Sequence, residues 1–419
     1  MSPRDVSPEH PPVAEDPLCL PGQASPGSAR PRRIPATWLL TLLMGLGPFS
    51  MQIIIPALPT LAGAFTVPYA TAQMTLTVYL IGVALGQLIY GPLSDHFGRR
   101  RVLLVGLLIY LTGSVAALVA PSIGWLIVAR AAQAAGACAG MVLSRAIIRD
   151  VFPRDEAASK IGFVMMGMTV APMMAPLLGA ELGILLGWRS IMLACVLFGA
   201  VMLAVAFLRL PETLPVVQPL PGLAGMAQAY WQLARLRSFR CYTAITACST
   251  GVFFAFTAGA PRVVMDGMGH SARAYALAFM AISVAFGIGS YVAGRFSARM
   301  GLERMLRWGL LLSSGGALLG VLIQCLMPPQ LALFFLPMAV VAIGNGISQP
   351  AAVAAAVSVR PQLAGTASGL IGALQMGTGA AMTLVASALE FGAGIGTAAA
   401  MAGCALGAQL AMRGARAAG

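Results

Sequence analysis

The stretch Gly91-Pro92-Leu93-Ser94-Asp95-His96-Phe97-Gly98-Arg99-Arg100-Arg101 decides the fold. It lies between two long apolar runs and places one carboxylate, two glycines and three arginines in a short turn. The stretch Gly294 to Arg304 repeats its spacing 203 residues later, with Ala298 at the position of Asp95. Because this offset is about half of the chain, it indicates two related halves, as in a duplicated transporter.

The composition indicates a protein embedded in a membrane. Of the 419 residues, 58% are hydrophobic and only 9% are charged, whereas a soluble domain carries about 25% charged residues. The net charge of +13 would suit a nucleic-acid-binding protein, but almost all of these charges are arginines in short loops between apolar runs. That distribution is the positive-inside pattern of membrane proteins, so no nucleic-acid partner is expected.

Twelve apolar stretches are long enough to cross a bilayer, which takes about 20 mostly apolar residues. The expected fold class is therefore all-α, a polytopic membrane protein with 12 transmembrane helices in two pseudo-symmetric six-helix bundles. The predicted spans are 37–56, 72–93, 102–120, 123–147, 161–183, 190–208, 242–260, 274–294, 306–325, 331–355, 365–389 and 392–412.

The same pattern predicts the domains and the topology. The predicted units are a disordered cytoplasmic tail at 1–36, bundles at 37–208 and 242–412, a cytoplasmic linker at 209–241 and a cytoplasmic tail at 413–419. With both termini in the cytoplasm, 22 of the 26 basic residues lie on that side. The linker segment from Met226 to Phe239 has the pattern of an amphipathic helix at the membrane surface, and an ordinary flexible linker is the alternative.

Several motifs together resemble one branch of the major facilitator superfamily of transporters. The stretch from Gly91 to Arg101 matches the signature loop between its helices 2 and 3, G-x-L-x-D-x-x-G-R-R. Arg130 and Gln133, followed by Gly136, match R-x-x-Q-x-x-G of span 4, and residues 171–179 match a proline-rich span 5. Together these look like the bicyclomycin/chloramphenicol-resistance (Bcr/CflA) branch of the drug:proton antiporters, with the stronger resemblance in the first half.

This resemblance implies a secondary transporter that exports small amphipathic toxic compounds or drugs by alternating access, in exchange for protons. It also implies a monomer in the bacterial inner membrane, with a small-molecule substrate, lipid contacts and no cofactor other than the proton gradient. The chain has no H-E-x-x-H and no G-x-S-x-G, so neither an enzyme nor a metal site is expected.

The chain departs from this family in span 1, where Gln52 stands in place of the usual acid. An amide does not exchange a proton near neutral pH, so proton coupling would need another carrier. Glu181 in span 5 is the candidate, because burial favours the protonated form of a carboxyl group. An interfacial ion pair between Glu181 and Arg189 is the alternative. The alternative function is a carrier for a specific small metabolite, or a transporter that is not coupled to protons.

Arg130 is the main cavity candidate, because a guanidinium in an apolar span costs about 2.5–3.5 kcal/mol and tends to be kept for function. In the family, the matching arginine lines the central cavity and influences carboxylate protonation. Snorkelling to the outer interface is the alternative, and the expected partners are Gln52, Gln133 or backbone carbonyls. The expected cavity residues are Gln52, Tyr79, Arg130, Gln133, Met168, Phe253, Asn345, Gln349 and Gln375.

The resemblance assigns Asp95 to gating rather than to substrate binding. It implies that this carboxylate engages nearby arginines and the positive start of helix 11, near Gly365, and thereby favours the outward-facing state. A charged turn that only sets the topology is the alternative. The expected gating residues are Asp95, Gly91, Gly98, Arg99, Arg149, Asp150, Pro172 and Pro176.

Overall fold

The computed structural model describes residues 35–152, 154–214, 222–360, 363–389 and 394–416, without the side chains of 154–169, 223, 297–298 and 416. Within these ranges every regular element is a helix, so the all-α prediction is confirmed. The predicted tail at 1–36 lies almost entirely outside them.

The helices of the first half begin and end close to the predicted spans. In chain order they are α1 (Thr37–Gln52), a 3₁₀ turn (Ile55–Ala57), α2 (Leu58–Ala64), α3 (Tyr69–Phe97), α4 (Arg99–Leu118), α5 (Ile123–Val151), α6 (Arg154–Leu186) and α7 (Trp188–Arg209). The helices after them are α8 (Leu223–Arg235), α9 (Arg237–Pro261), a π-helical turn (Arg262–Gly267), α10 (Ala272–Met300), α11 (Leu302–Leu326), α12 (Leu331–Ser358), α13 (Ala364–Leu389) and α14 (Ile395–Arg416).

The described helices are long and apolar enough for a multi-pass membrane protein. Eleven segments meet the length and hydropathy of a membrane span, and the predicted span at 161–183 falls on α6, whose portion Val170–Leu186 is a shorter apolar helix. Large side chains on the outside, such as Leu208 and Leu326, are 78% and 72% exposed. Such a surface is stable when lipid covers it.

Two helices extend beyond the predicted spans by about one turn. The helix α9 begins at Arg237, within the predicted linker at 209–241, and α14 ends at Arg416, within the predicted tail at 413–419. Arginine is a good helix former, so a helix continues past the apolar run that hydropathy detects.

The helix pairings of the first half recur in the second half. The first half pairs α4 with α5, α3 with α5 and α1 with α6, and the second pairs α11 with α12, α10 with α12 and α9 with α13. A Cβ added at Gly136 would lie 2.4 Å from the Gly106 carbonyl oxygen, and one at Gly344 would lie 2.6 Å from that of Gly309. In both halves, therefore, only glycine allows the two backbones to come this close.

Two further helix pairs join the first half to the second. They are α3 with α13 and α6 with α10. We call the end of the bundle that carries the turn between α3 and α4 the arginine-rich end.

The amphipathic segment of the linker forms α8. Its Leu233 is fully buried against α12 and α13, whereas Trp231 is 60% exposed and lies 5.1 Å from the Arg235 guanidinium. Tyr230 donates a hydrogen bond to the Leu88 carbonyl of α3 at 3.2 Å. Burial raises the pKa of Tyr230, so the hydroxyl remains a donor at neutral pH. The helix α8 thus connects α3 with the second half.

Candidate functional site

Arg130 lies in α5 with none of its surface exposed. Its Nη1 donates to the Ser50 carbonyl of α1 at 2.9 Å and to Oε1 of Gln133. The guanidinium carbon is 4.3 Å from the centroid of the Tyr79 ring, so the ring face supplies a cation–π contact. The alternative that the Arg130 side chain snorkels to the interface is therefore wrong. Of its expected partners, Gln133 and a backbone carbonyl are present.

The hydrogen bonds around Arg130 tie four helices together. Gln133 donates to the Ser114 hydroxyl of α4 at 2.8 Å. The Ser50 and Tyr110 hydroxyls are 2.6 Å apart, which joins α1 to α4. Tyr79 donates from α3 to the Gly47 carbonyl of α1 at 3.0 Å. This network, which we call the Arg130 network, contains six polar side chains, Arg130 included, and no carboxylate among the described residues.

The Arg130 network also contains hydrogen-bonding capacity that the described residues do not use. The Nε and Nη2 atoms of Arg130 are buried without a hydrogen-bond partner. Gln52 is fully buried nearby in α1, and both of its amide atoms also lack a partner. The expected bond between Gln52 and Arg130 is therefore absent. Unpaired donors on a buried cation are costly, so this site is suited to accept an anionic or strongly polar group in another conformation.

The expected cavity residues of the second half form separate contacts. Asn345 donates to the Ser249 carbonyl at 3.2 Å and accepts from Ser313 at 3.0 Å, which joins α12 to α9 and α11. Gln349 donates to Thr250 of α9 at 3.0 Å. These two amides therefore join helices, which is a common role of polar side chains in membrane helices.

Three expected cavity residues take no part in these polar contacts. Phe253 lies half-buried in α9, with its ring centroid 5.2 Å from that of Phe254 and 6.0 Å from that of Phe279. Gln375 is half-buried in α13. Met168 belongs to the stretch of α6 whose side chains lie outside the described part of the structure. Among the described residues, the expected cavity residues thus lie together only around Arg130.

The gating prediction centres on Arg99, which is only 7% exposed. Its Nη1 is 2.5 Å from Oδ1 of Asp95 and donates to the Ser94 hydroxyl at 2.6 Å. Its Nε donates to Oδ2 of Asp150 in α5 at 2.8 Å. One buried guanidinium therefore holds two carboxylates at the arginine-rich end, and it ties α4 to α3 and α5.

Glu212 completes this end of the bundle, and the sequence reasoning did not predict its role. Its carboxylate accepts from the backbone nitrogens of Arg99 at 2.9 Å and Arg100 at 3.2 Å, at the positive start of α4. Gly98 has φ +94°, and a Cβ there would lie 2.6 Å from Oε2 of Glu212. The glycine of the signature loop is thus required by its backbone conformation and by this close approach.

We call Arg99, with its partners Ser94, Asp95 and Asp150, the Arg99 network. Several expected gating residues lie outside this network. Arg149 is exposed and makes no ion pair with the described residues. Asp95 pairs with Arg99 and not with the start of α13, where a Cβ at Gly365 would meet nothing within 4 Å. A Cβ at Gly91 would also meet nothing within that distance. Pro172 and Pro176 lie inside α6.

The two halves are joined at the end of the bundle opposite Asp95. Tyr69 at the start of α3 donates to the Ala258 carbonyl of α9 at 2.8 Å. About two turns further along α3, the hydroxyls of Thr77 and Thr383 are 2.7 Å apart. The contact of α3 with α13 continues at Gln87, whose carbonyl oxygen would lie 3.2 Å from a Cβ at Gly369, whereas a Cβ at Gly365 would meet nothing within 4 Å. The two halves are therefore closed against each other at the end opposite the arginine-rich end.

Glu181 belongs to the same closure. Its carboxylate accepts two hydrogen bonds from Arg273 of α10, at 2.5 and 2.6 Å, so the ion pair links α6 to α10. The expected pairing with Arg189 is wrong, because Arg189 donates to the Ala120 carbonyl at 3.4 Å and stacks on Trp188. Within the described residues, no group of three His, Cys, Asp or Glu side chains is placed to hold a metal.

Comparison with known proteins identifies relatives along most of the chain. The family model described as Major Facilitator Superfamily matches residues 40–383. Multidrug resistance protein D of Escherichia coli is 31% identical over 379 residues, which are 87% of this chain and 92% of the relative. The chloramphenicol resistance protein of Pseudomonas aeruginosa is 33% identical over 322 residues, 76% of this chain and 73% of the relative.

A solved structure has a similar fold. The xylose transporter XylE from E. coli, in a partially occluded inward-open conformation, superposes with a TM-score of 0.68 over 88% of this chain and 95% of that chain. The sequence identity is 14%, so this likeness concerns the fold alone.

Proposed function

The chain belongs to the major facilitator superfamily, and several of its relatives carry the names of drug-resistance proteins, consistent with the Bcr/CflA branch. From that premise we propose that it exports small amphipathic toxic compounds or drugs across the bacterial inner membrane in exchange for protons. The observation that carries the proposal is the match to a multidrug resistance protein over 87% of the chain. The relatives are transporters, and no enzymatic activity is proposed.

The positive-inside distribution supports an orientation for this transporter. We infer from it that the arginine-rich end and both termini lie in the cytoplasm. The end closed by Tyr69 and by the pair Glu181–Arg273 then faces outward, which supports an inward-facing conformation. Alternating access requires this closure to open while the arginine-rich end closes, and the contact of Asp95 with the start of α13 belongs to that other state.

We expect expression of the protein in a drug-sensitive bacterium to raise tolerance to chloramphenicol-like compounds severalfold. Growth inhibition across a broad drug panel measures this effect, with Arg130→Met as a folded, inactive control. Unchanged tolerance to every compound would instead favour the alternative function, a carrier for one metabolite.

Proton coupling is proposed to use Glu181. The ion pair with Arg273 stabilises the charged carboxylate while the outer end is closed. When this end opens, α6 and α10 separate and the carboxylate is free to bind a proton from outside. The absence of an acid at Gln52 is the one observation that favours transport without protons.

Drug addition to energised vesicles should release protons from the unaltered protein, and Glu181→Gln should abolish that release. A fluorescent pH indicator inside the vesicles measures it. Arg189→Gln is the matched control, because Arg189 lies near the same end without contacting Glu181. Release that persists in Glu181→Gln would assign the proton to another group, and export without release from the unaltered protein would exclude antiport.

A further inference from the structure

A groove of about 500 Å³ lies between α4 and α7 on the lipid-facing side of the first half. Every residue that lines it is apolar, including Leu104 and Leu108 of α4 and Ala204 and Phe207 of α7. The small side chains of α7 leave the hollow between the two helices, and Leu108 and Phe207 at its rim are 52% and 60% exposed. Its shape and chemistry suit a hydrocarbon chain that lies along the helices.

Two arginines stand at the cytoplasmic end of this groove. Arg100 donates to the carbonyls of Phe207 and Leu210 at 2.8 Å each and has its guanidinium carbon 5.5 Å from the Phe207 ring centroid. It therefore joins the end of α7 to the start of α4. Arg101 lies one turn before Leu104 on α4 and is exposed. These two side chains place positive charge at the level where lipid head groups lie.

The carboxylates closest in the chain do not neutralise these arginines. Asp95 and Asp150 both pair with Arg99. Glu212 uses its carboxylate on the backbone nitrogens at the start of α4. Within the described residues, Arg101 makes no ion pair, and the Arg100 side chain donates only to carbonyl oxygens. Neither guanidinium group is therefore paired with a carboxylate at the mouth of the groove.

We propose that the groove between α4 and α7 is a binding site for an anionic phospholipid. One acyl chain lies in the apolar hollow, and the negatively charged phosphate of the head group lies at Arg100 and Arg101. A zwitterionic lipid fills the same hollow but carries a cationic group to the same arginines, so its binding is weaker. Basic pockets between membrane helices on the cytoplasmic side have this selectivity in general.

Photo-crosslinking of the full-length protein in vesicles tests the proposal. The probes are phosphatidylglycerol and phosphatidylcholine that carry the same photoreactive acyl chain, and mass spectrometry counts the labelled peptides of α4 and α7. Phosphatidylglycerol should label these peptides about fivefold more than phosphatidylcholine, the factor that one arginine near a head group supplies. Arg101→Gln should reduce this preference, because Arg100 alone then faces the head group. Ala204→Trp should fill the hollow and reduce labelling by both probes.

Each variant has a matched control. Arg304→Gln removes the exposed arginine at the repeated position of the second half, and the preference should persist. Val201→Trp adds the same side chain on α7 at a lipid-facing residue that does not line the groove, and labelling should persist. Equal labelling by the two probes, or a preference that Arg101→Gln leaves unchanged, would overturn the selectivity. Labelling that survives Ala204→Trp would overturn the site. Neither result bears on the proposed export of drugs.

Discussion

Replacement of Arg99 by leucine should abolish export and lower the thermal midpoint of the purified protein. Arg99 is 7% exposed and holds Asp95 and Asp150, so its removal leaves two carboxylates close together without their shared cation. Removal of one partner from a buried ion pair costs about 3–5 kcal/mol. Because the Asp95 side chain is 35% exposed, we expect the lower end, about 3 kcal/mol. Thermal unfolding in detergent and drug export from cells measure the two effects.

Two variants separate the role of Arg99 in folding from its role in gating. The triple variant Arg99→Leu, Asp95→Asn, Asp150→Asn removes the unpaired charges and should recover the midpoint, while export stays lost. Arg304→Leu, an exposed arginine of the repeated loop, should change neither quantity. A single variant Arg99→Leu with the midpoint and export of the unaltered protein would refute this account of the Arg99 network.

Arg130→Met should reduce export at least tenfold and leave a folded protein. Arg130 is fully buried without a carboxylate and keeps two unpaired nitrogens. An apolar side chain of similar length removes the cost of that charge, which offsets the loss of the bonds to Ser50 and Gln133. Transport is lost because no other side chain in the Arg130 network offers a positive charge to a polar substrate.

The Arg130 prediction is checked by export assays together with thermal unfolding of the same preparations. Arg130→Lys should not restore full export, because an ammonium group lacks the planar fork and stacks less well on Tyr79. Tyr110→Phe, which removes a hydroxyl bonded to Ser50 from the same network, should retain export. A folded Arg130→Met that exports at the normal rate would show that the guanidinium serves only to join helices.

The fold was predictable from the sequence because its signals are local. Span lengths follow from apolar runs, and the repeat follows from the spacing of glycines and arginines around Gly98 and Gly301. Both glycines have positive φ, at +94° and +79°, so the two loops share a backbone conformation as well as a pattern. The helix ends were less predictable, because hydropathy detects only the apolar part of a helix, and helices such as α9 continue beyond it.

The site was only partly predictable, because its partners come from distant parts of the chain. Arg130 and Gln133 are one turn apart, and their bond was expected from the motif. Glu212 is 113 residues from Arg99, and Arg273 is 92 residues from Glu181. Nothing local in the sequence pairs these residues. Glu212 lies in the stretch Leu210-Pro211-Glu212-Thr213, just after the last apolar run of the first half, and nothing in that stretch assigns a role to its carboxylate.

The glycine contacts within each half determine where the transporter is able to bend. Because Gly106 lies on Gly136 and Gly309 lies on Gly344 without space for a Cβ, α4 and α5, and likewise α11 and α12, are locked against sliding. The helices of each pair consequently move together. The rotation that admits and releases substrate takes place between the halves, where the hydrogen bond of Thr77 with Thr383 and the ion pair of Glu181 with Arg273 are able to exchange partners.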